Sequence, residues 1–369
     1  MPIGLGALAE TRSRVGVGQE PGRPLALAVW LLLCCALIFC MIVVGGVTRL
    51  TLSGLSITEW QPVTGVLPPL SEMSWAAEFA KYQQIPQYRE LNPAMTLDAF
   101  KTIYYWEYSH RLLGRLIGIV YAGPFLFFLV RGKVPRRLLA PLCAILLLGF
   151  CQGLLGWYMV ESGLADRVEV SQYRLVAHLA VALAIYGAIL WVALGILRPG
   201  AQTASRSSWR RAAEGLIGLV ALTIGAGGFV AGLNAGLIYN TFPLMDGAFV
   251  PAGYAQLHPL ILNWFENIAA VQFDHRLLAM TTATAVLLLW FAGRNTAWGA
   301  GLPQAARRGL HALLAATAVQ FGLGISTLLL VVPIPIAAAH QAGAVLLLTA
   351  AIVWRHTLRG APALTGAAL

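Results

Sequence analysis

Eight long apolar segments constrain this sequence more than any other feature. A helix that crosses the hydrocarbon core of a bilayer needs about 20 predominantly apolar residues, and each of these segments is long enough. Backbone polar groups inside lipid must pair within their own segment, so the segments are predicted to be helices. They cover approximately residues 25–47, 105–130, 138–160, 173–197, 211–233, 268–292, 308–331 and 335–355.

The composition agrees with a chain that is dissolved in lipid. Of the 369 residues, 58% are hydrophobic and only 11% are charged, whereas soluble domains carry about 25% charged residues. The net charge of +10 does not indicate a nucleic-acid partner, because most lysines and arginines lie near the termini and the short connections on one side of the bilayer. Such an excess marks the cytoplasmic side, so both termini are predicted to be cytoplasmic.

The start of the chain predicts a retained first span. The first apolar segment is longer than the core of a signal peptide, and no small-residue cleavage site follows it. The residues before it contain acids as well as arginines, which is not typical of a mitochondrial transit peptide. A multi-pass protein of the bacterial inner membrane is therefore expected.

The two halves of the sequence resemble each other. The matching pairs of segments are 45–69 with 227–251, 107–114 with 272–279, and 176–191 with 338–354. Each half contains four spans, an even number, so both halves run through the membrane in the same direction. The predicted fold class is therefore an all-α integral membrane protein, with eight transmembrane helices as two tandem four-helix bundles related by a pseudo-twofold axis along the membrane normal.

The repeat also predicts how the chain is divided. Cytoplasmic tails are expected at 1–24 and 361–369, an N-terminal half at 25–200 and a C-terminal half at 201–360. Two connections on the outer side are long, at 48–104 and 234–267, and long loops are often functional. Most aromatic residues of the first are expected to form a belt at the membrane surface. These residues are Trp60, Trp75, Tyr82, Tyr88 and Tyr104.

Four histidines fall at one predicted depth near the outer side of the membrane. They are His110, His178, His275 and His340, and the repeat pairs His110 with His275 and His178 with His340. Polar side chains within membrane helices are costly and usually face the bundle interior. Two imidazoles from facing helices with apolar walls suit the two axial positions of a heme iron. We therefore predict one heme in each half, with buried structural histidines as the alternative.

The two halves differ at one acidic position. Glu107 precedes His110 by one helical turn, and the equivalent residue in the second half is Gln272. Either Glu107 serves catalysis or it forms an ion pair with Arg111 or Arg115. The half that retains the acid is the better candidate for chemistry, and the other half would serve electron transfer or structure.

An arginine follows a histidine in each half. Arg111 and Arg276 are expected to bind heme propionates near the outer surface, or else to reach the lipid headgroups. A di-heme electron carrier, similar to cytochrome b-like quinol oxidoreductases, would also explain four histidines. The difference between Glu107 and Gln272 favours an enzyme, because an electron relay has less need of unequal halves.

Three stretches carry a resemblance to a known family. They are GGVTRLTLSGLSITEWQPVTGVLPP at 45–69, EYSHRLLGRLIG at 107–118 and FDHRLLA at 273–279. With His178 and His340 they make the chain similar to the heme A synthases over approximately residues 25–356. Some bacterial members carry a cysteine pair in the first outer loop, whereas residues 48–104 contain none. The chain therefore resembles the proteobacterial and mitochondrial branch.

The resemblance implies a reaction and a set of partners. Heme A synthases oxidise the C8 methyl group of heme O to a formyl group, by way of the alcohol heme I, and so supply heme A to aa3-type terminal oxidases. The substrate heme O, O2 and an unidentified electron donor are the implied partners. Heme O synthase and a second copy of the chain stay open as protein partners.

The resemblance also implies roles for the candidate residues. His275 and His340 would be the axial ligands of a heme b cofactor in the C-terminal half. His110 and His178 would bind the iron of the substrate heme in the N-terminal half. Glu107 would take part in proton handling or oxidation beside them.

Overall fold

The computed structural model describes residues 24–61, 64–165, 167–198, 206–295 and 297–359 of the chain. Among these residues, eight helices are long and apolar enough to cross a membrane. They are α1 Leu25–Leu50, α2 Leu97–Val130, α3 Arg136–Leu164, α4 Gln172–Leu197, α5 Ser207–Gly232, α6 Ile268–Arg294, α7 Gln304–Leu329 and α8 Ile334–Thr357. The prediction of an all-α integral membrane protein with eight spans is confirmed.

The predicted tails and the boundary between the halves fall largely outside this description. Of the tails at 1–24 and 361–369, only residue 24 is described, and the boundary at 200/201 lies within the undescribed residues 199–205. We call the end of the bundle where α1 begins and α8 ends the inner end. The opposite end, where α1 ends and α2 begins, is the outer end.

Helix α2 begins earlier than the hydropathy pattern predicts. It starts at Leu97 rather than at residue 105, because Thr96 caps its first turn by accepting a hydrogen bond from the backbone N–H of Ala99 at 3.3 Å. Asp98 in the first turn adds a favourable charge at the positive end of the helix dipole. The extra turns project beyond the apolar part of the helix and support the connection before it.

The first outer connection is folded rather than extended. We call residues 51–96 the outer cap, which is described except for residues 62–63. It contains two short helices, Glu72–Tyr82 and Pro86–Leu91, and Ser71 begins the first of them with a capping box to Ser74. The second outer connection contains two 3-10 turns and one short helix, at Ala235–Leu237, Leu260–Leu262 and Asn263–Glu266.

The aromatic residues of the outer cap do not form the expected surface belt. Trp75, Tyr82 and Tyr104 are buried in a hydrophobic cluster with Phe100, and Tyr82 is completely shielded from solvent. The belt prediction is wrong for these three residues, because the short helix Glu72–Tyr82 packs on the projecting turns of α2 and needs its own core. Trp60 is 47% exposed and remains compatible with the interface.

The two halves meet along four helices. Helix α1 packs against α8, α5 packs against α4, and α4 touches α8. Gly46 of α1 contacts Gln341 of α8, and the Gln341 amide donates to the Ile42 carbonyl at 2.8 Å. At the position equivalent to Gly46, Gly228 of α5 contacts Val176 of α4. A twofold axis between the halves would produce this pairing. That axis stays a prediction, which these contacts support.

The densest apolar packing lies toward the inner end. The main hydrophobic cluster joins inner segments of both halves, among them Leu31 of α1, Leu142 of α3, Ala213 of α5 and Trp354 of α8. The outer parts of the helices bury fewer side chains, and the four histidines lie there.

Candidate functional site

The histidine pair of the C-terminal half has the spacing of two ligands to one metal ion. The ring centres of His275 on α6 and His340 on α8 lie 6.5 Å apart, with their planes at 81°. Two imidazoles bound to one ion from opposite sides, through metal–nitrogen bonds of about 2 Å, place their ring centres roughly 6 Å apart. The pair therefore fits the two axial positions of a heme iron.

Neighbouring polar groups fix the orientation of these two imidazoles. His275 Nδ1 lies 3.1 Å from the Thr223 carbonyl oxygen of α5, so a proton on Nδ1 is satisfied and the Nε2 lone pair is left for a metal. On the other side, Gln320 Nε2 donates to the His340 carbonyl at 3.0 Å and lies 3.1 Å from His340 Nδ1, so this amide positions His340 but offers no acceptor for an Nδ1 proton. Both rings are held by groups outside the ligand set.

Each of the four histidines packs against a glycine of a neighbouring helix. A Cβ atom at these glycines would come so close to the imidazole that the ring would have to move. The distances are 3.1 Å from Gly45 to His110 Nε2, and 2.9 Å to the Cε1 atom for Gly156 with His178, Gly227 with His275, and Gly324 with His340. These glycines occupy α1, α3, α5 and α7, and their positions correspond between the halves. The close approach gives each ring room without tilting it away from the bundle centre.

The histidine pair of the N-terminal half is held in a similar way but is less complete. Gln152 Nε2 donates to the His178 carbonyl at 2.9 Å, matching Gln320 and His340. His178 Nδ1 is buried without a hydrogen-bond partner. The second half differs at this point, because His275 Nδ1 lies 3.1 Å from the Thr223 carbonyl oxygen.

The acid of the N-terminal half is paired rather than free. Glu107 is 2% exposed, and one of its carboxylate oxygens accepts from Arg111 Nε at 2.9 Å. The other accepts from Ser56 Oγ at 2.8 Å and from the Ile57 backbone N–H at 2.7 Å. Of the alternatives that the sequence left open, the ion pair with Arg111 is present.

Arg111 and Arg276 each bind backbone carbonyl oxygens of an outer connection. Arg111 donates to the carbonyl oxygens of Ile57 at 2.7 Å and Glu59 at 2.9 Å. At the equivalent positions, Arg276 donates to those of Tyr239 at 2.5 Å and Thr241 at 2.8 Å. We call each arrangement a loop clamp. Binding of heme propionates by Arg111 and Arg276 stays a prediction, and most of their donors already have partners.

Gln272 replaces the acid in the second loop clamp and uses its amide differently. Its oxygen accepts from Arg276 at 2.8 Å, as the Glu107 oxygen does from Arg111. Its Nε2 donates to the carbonyl oxygens of Ala235 at 2.7 Å and Ile238 at 2.5 Å. The first loop presents donors to a carboxylate, and the second presents acceptors to an amide.

Several residues of the site were not assigned to it from the sequence. Gly45 and Gly227 begin two of the aligned segments, and the pairs Gly156 with Gly324 and Gln152 with Gln320 match between α3 and α7. Their recurrence at matching positions was the available signal. Nothing in the local sequence indicates that the Thr223 carbonyl would hold His275.

The chain is similar to known proteins over most of its length. The model of the family described as "Cytochrome oxidase assembly protein" matches residues 28–352. The chain is 54% identical to a heme A synthase of Nitrosospira multiformis over 336 residues, which cover 90% of the chain and 93% of that relative. It is 52% identical to a heme A synthase of Nitrosomonas eutropha, over 88% of the chain and 92% of that relative. It is also 52% identical to a heme A synthase of Rhodospirillum centenum, over 93% of the chain and 91% of that relative. The chain thus belongs to the heme A synthases within the family of cytochrome oxidase assembly proteins.

Proposed function

We propose that this membrane oxidoreductase converts the C8 methyl group of heme O to the formyl group of heme A, through the alcohol heme I. The observation that carries the proposal is the presence of two equivalent histidine pairs on glycine-lined positions, one with the spacing of two ligands to one iron. The names of the relatives support heme oxidation over the alternative of a di-heme electron carrier.

In this proposal the C-terminal half holds the resident cofactor, heme b. His275 and His340 would be its axial ligands, and the bound heme would supply one-electron transfer. The chain's own contribution is to position both histidines, through the Thr223 carbonyl and the Gln320 amide. The proposed heme type rests on the resemblance described above.

The N-terminal half would bind the substrate heme. His110 and His178 would ligate its iron, and their glycine and glutamine neighbours, which match those of His275 and His340, support this assignment. Glu107 is the acid of this site, one helical turn from His110. Because Arg111, Ser56 and Ile57 bind it as a carboxylate, it acts first by holding the outer cap beside His110.

The reaction also needs co-reactants and an orientation. O2 supplies the oxygen atom, an electron donor reduces the system, and heme O synthase is the expected source of the substrate. We place the chain in the bacterial inner membrane with both termini in the cytoplasm. The histidine pairs then lie toward the periplasmic side.

Heme extraction tests the reaction directly. The chain is expressed in a host that lacks its own heme A synthase and accumulates heme O, and the extracted hemes are separated by chromatography. Heme I and heme A should appear only when the chain is present. Bound heme b with unconverted heme O, in the presence of an adequate electron donor, would contradict the proposal. The double variant His275→Ala/His340→Ala serves as the inactive control.

A further inference from the structure

Helix α3 packs on α4, through Gln152 and Gly156 beside His178, but it contacts α2 mainly near its inner end. Along its described length, Arg136–Leu164, the buried residues are Leu142 and Ile145 near the inner end and Gly163 near the outer end. Tyr121 of α2 donates its hydroxyl to the Leu142 carbonyl at 2.9 Å, which closes the contact between α2 and α3 at the inner end. Nothing on α3 between residues 146 and 162 is buried.

The exposed stretch of α3 includes the side that faces the bundle. Residues 146–151 are all exposed. Six consecutive residues cover more than one complete turn of a helix, so they point in every direction, including toward α2 and α4. In the equivalent helix α7 no exposed run is longer than two residues. Helices α6 and α7 also pack together far more extensively than α2 and α3 do.

Glycines line the gap between these two helices. A Cβ atom at Gly118 of α2, or at Gly149 or Gly153 of α3, would meet no other atom within 4 Å. Where Gly149 and Gly153 stand, the C-terminal half has Thr317, which is 6% exposed, and Phe321, which packs on Phe242 of the second outer connection. We call the gap in the N-terminal half the α2–α3 opening.

The α2–α3 opening leads to the first histidine pair. Gly118 lies two helical turns, about 12 Å, below His110 on α2. On α3, Gly153 lies about one turn below Gly156, which contacts His178. The opening is thus bounded by the Tyr121–Leu142 contact at its inner end and by the two histidines at its outer end.

The outer cap closes the other direction of approach. Leu55 of the outer cap lies so close to Gly163 that a Cβ there would come within 2.9 Å of its side chain. Ser56 and Ile57 are bound to Glu107, and Arg111 holds the following segment. These contacts place the outer cap over Glu107 and Arg111, beside His110, whereas the α2–α3 opening faces the hydrocarbon of the bilayer.

We propose that the α2–α3 opening is a lateral entrance through which the substrate heme passes between the bilayer and the site of His110 and His178. This inference rests on the proposed function. A heme macrocycle is flat and largely apolar, so it partitions into lipid and can pass between two glycine-lined helix faces. The packed seam between α6 and α7 keeps the resident cofactor in place.

The rate of heme O uptake tests this entrance without requiring turnover. Purified chain that retains heme b is reconstituted in phosphatidylcholine vesicles and mixed with vesicles that carry heme O, and binding is followed by absorbance. The variants are Gly118→Phe, Gly153→Phe and the double variant. A bulky ring in the passage should slow both uptake and release by about tenfold or more. The final amount of bound heme O should remain near that of the unsubstituted chain.

A matched control and two contrary outcomes complete the test. Val319→Phe adds the same ring to α7 at a position that is 63% exposed, and it should leave the rate unchanged. Uptake at the original rate in the double variant would overturn the entrance, as would a lower final amount with unchanged rates. Loss of heme b would indicate misfolding, and the smaller Gly118→Leu variant would then decide. An unsubstituted chain that binds no heme O would contradict the proposed function instead.

Discussion

Gly227 on α5 lies so close to His275 on α6 that a Cβ atom at Gly227 would come within 2.9 Å of the imidazole Cε1. The same imidazole is held from α5 by the Thr223 carbonyl, one turn away along that helix. Helix α5 therefore determines both the position and the tautomer of this histidine, although it contributes no ligand.

Gly227→Ala should reduce the heme b content of the purified chain while the chain still inserts into the membrane. The added methyl group displaces the His275 ring, and repacking at such a contact costs about 1–3 kcal/mol. Heme b is quantified from the pyridine hemochrome spectrum. Gly225→Ala is the control, because a Cβ at Gly225 meets nothing within 4 Å. Equal heme content in the two variants would show that the close contact is irrelevant.

Substitution of the histidines should separate the two halves. His275→Ala and His340→Ala should each lose heme b and activity, because one axial ligand of the cofactor is removed. His110→Ala and His178→Ala should retain heme b but lose bound heme O. Heme composition is measured after extraction from the purified protein. A complete bis-histidine spectrum in both His275→Ala and His340→Ala would disprove the cofactor assignment.

Glu107→Gln should retain heme b and lower the conversion of heme O to heme A. An amide at this position turns a donor toward the N–H of Ile57 or the hydroxyl of Ser56, and a lost buried hydrogen bond costs about 1–3 kcal/mol. Conversion should fall by about tenfold or more. If conversion is unchanged, Glu107 has a structural role only. Gln272→Glu is the reciprocal variant, and it should weaken retention of heme b instead.

The ion pair between Arg49 and Glu169 should contribute to stability across the two halves. Arg49 at the end of α1 donates to Glu169 at 2.5 Å, and Asn234, which follows α5, donates to the same carboxylate at 2.9 Å. Glu169→Gln leaves the guanidinium largely buried without its counter-charge, and the loss of one partner of a buried pair costs about 3–5 kcal/mol. Thermal unfolding in detergent should show a lower Tm. The double variant Arg49→Met/Glu169→Met should recover part of the loss.

The outer cap should be insensitive to pH across the neutral range. The hydrogen bond from Lys81 holds the pKa of Glu59 below its ordinary value of 4.5, and the hydrogen bond to Glu78 raises the pKa of Lys81 above 10.5. The Glu59 contribution is present above pH 4.5 and is lost as the pH falls through the lowered pKa. The Lys81 contribution is present below pH 10.5 and is lost as the pH rises through the raised pKa.

Protease sensitivity of the outer cap measures this behaviour. Cleavage in vesicles should accelerate at acidic pH and under alkaline conditions but stay constant between these limits. Lys81→Met removes the partner of Glu59 and should weaken both changes. Because these side chains are substantially exposed, high salt should reduce the difference between Lys81→Met and the original chain. A steep change near pH 7 would show that another group controls the cap.

The spans and the depth of the histidines could be predicted because hydropathy and the repeat are properties of the chain itself. The first turns of α2 could not, since Asp98 and Lys101 dilute the apolar signal there. Burial of Trp75 and Tyr82 also escaped prediction. It depends on the short helix Glu72–Tyr82 packing against α2, and an aromatic residue in an outer loop suits a membrane surface equally well.

The candidate site was predictable in its residues and less so in its connections. Glu107 and Arg111 are one turn apart on α2, so their ion pair could be offered as an alternative from spacing alone. Their bonds to Ser56 and Ile57 depend on how the outer cap folds back over the helix. The gap beside α3 could not be read from an apolar segment, because lipid and protein neighbours select the same residues.

The sparse contact between α3 and α2 has a further consequence for what counts as the core of this protein. In the C-terminal half, the chain fills the space beside α7 with Thr317 and Phe321. In the N-terminal half, glycines stand at the corresponding positions. The side chains of the chain therefore do not fill this space. A bound heme that occupies this space would serve as part of the hydrophobic core while it remains bound. After its release, α3 would again contact lipid.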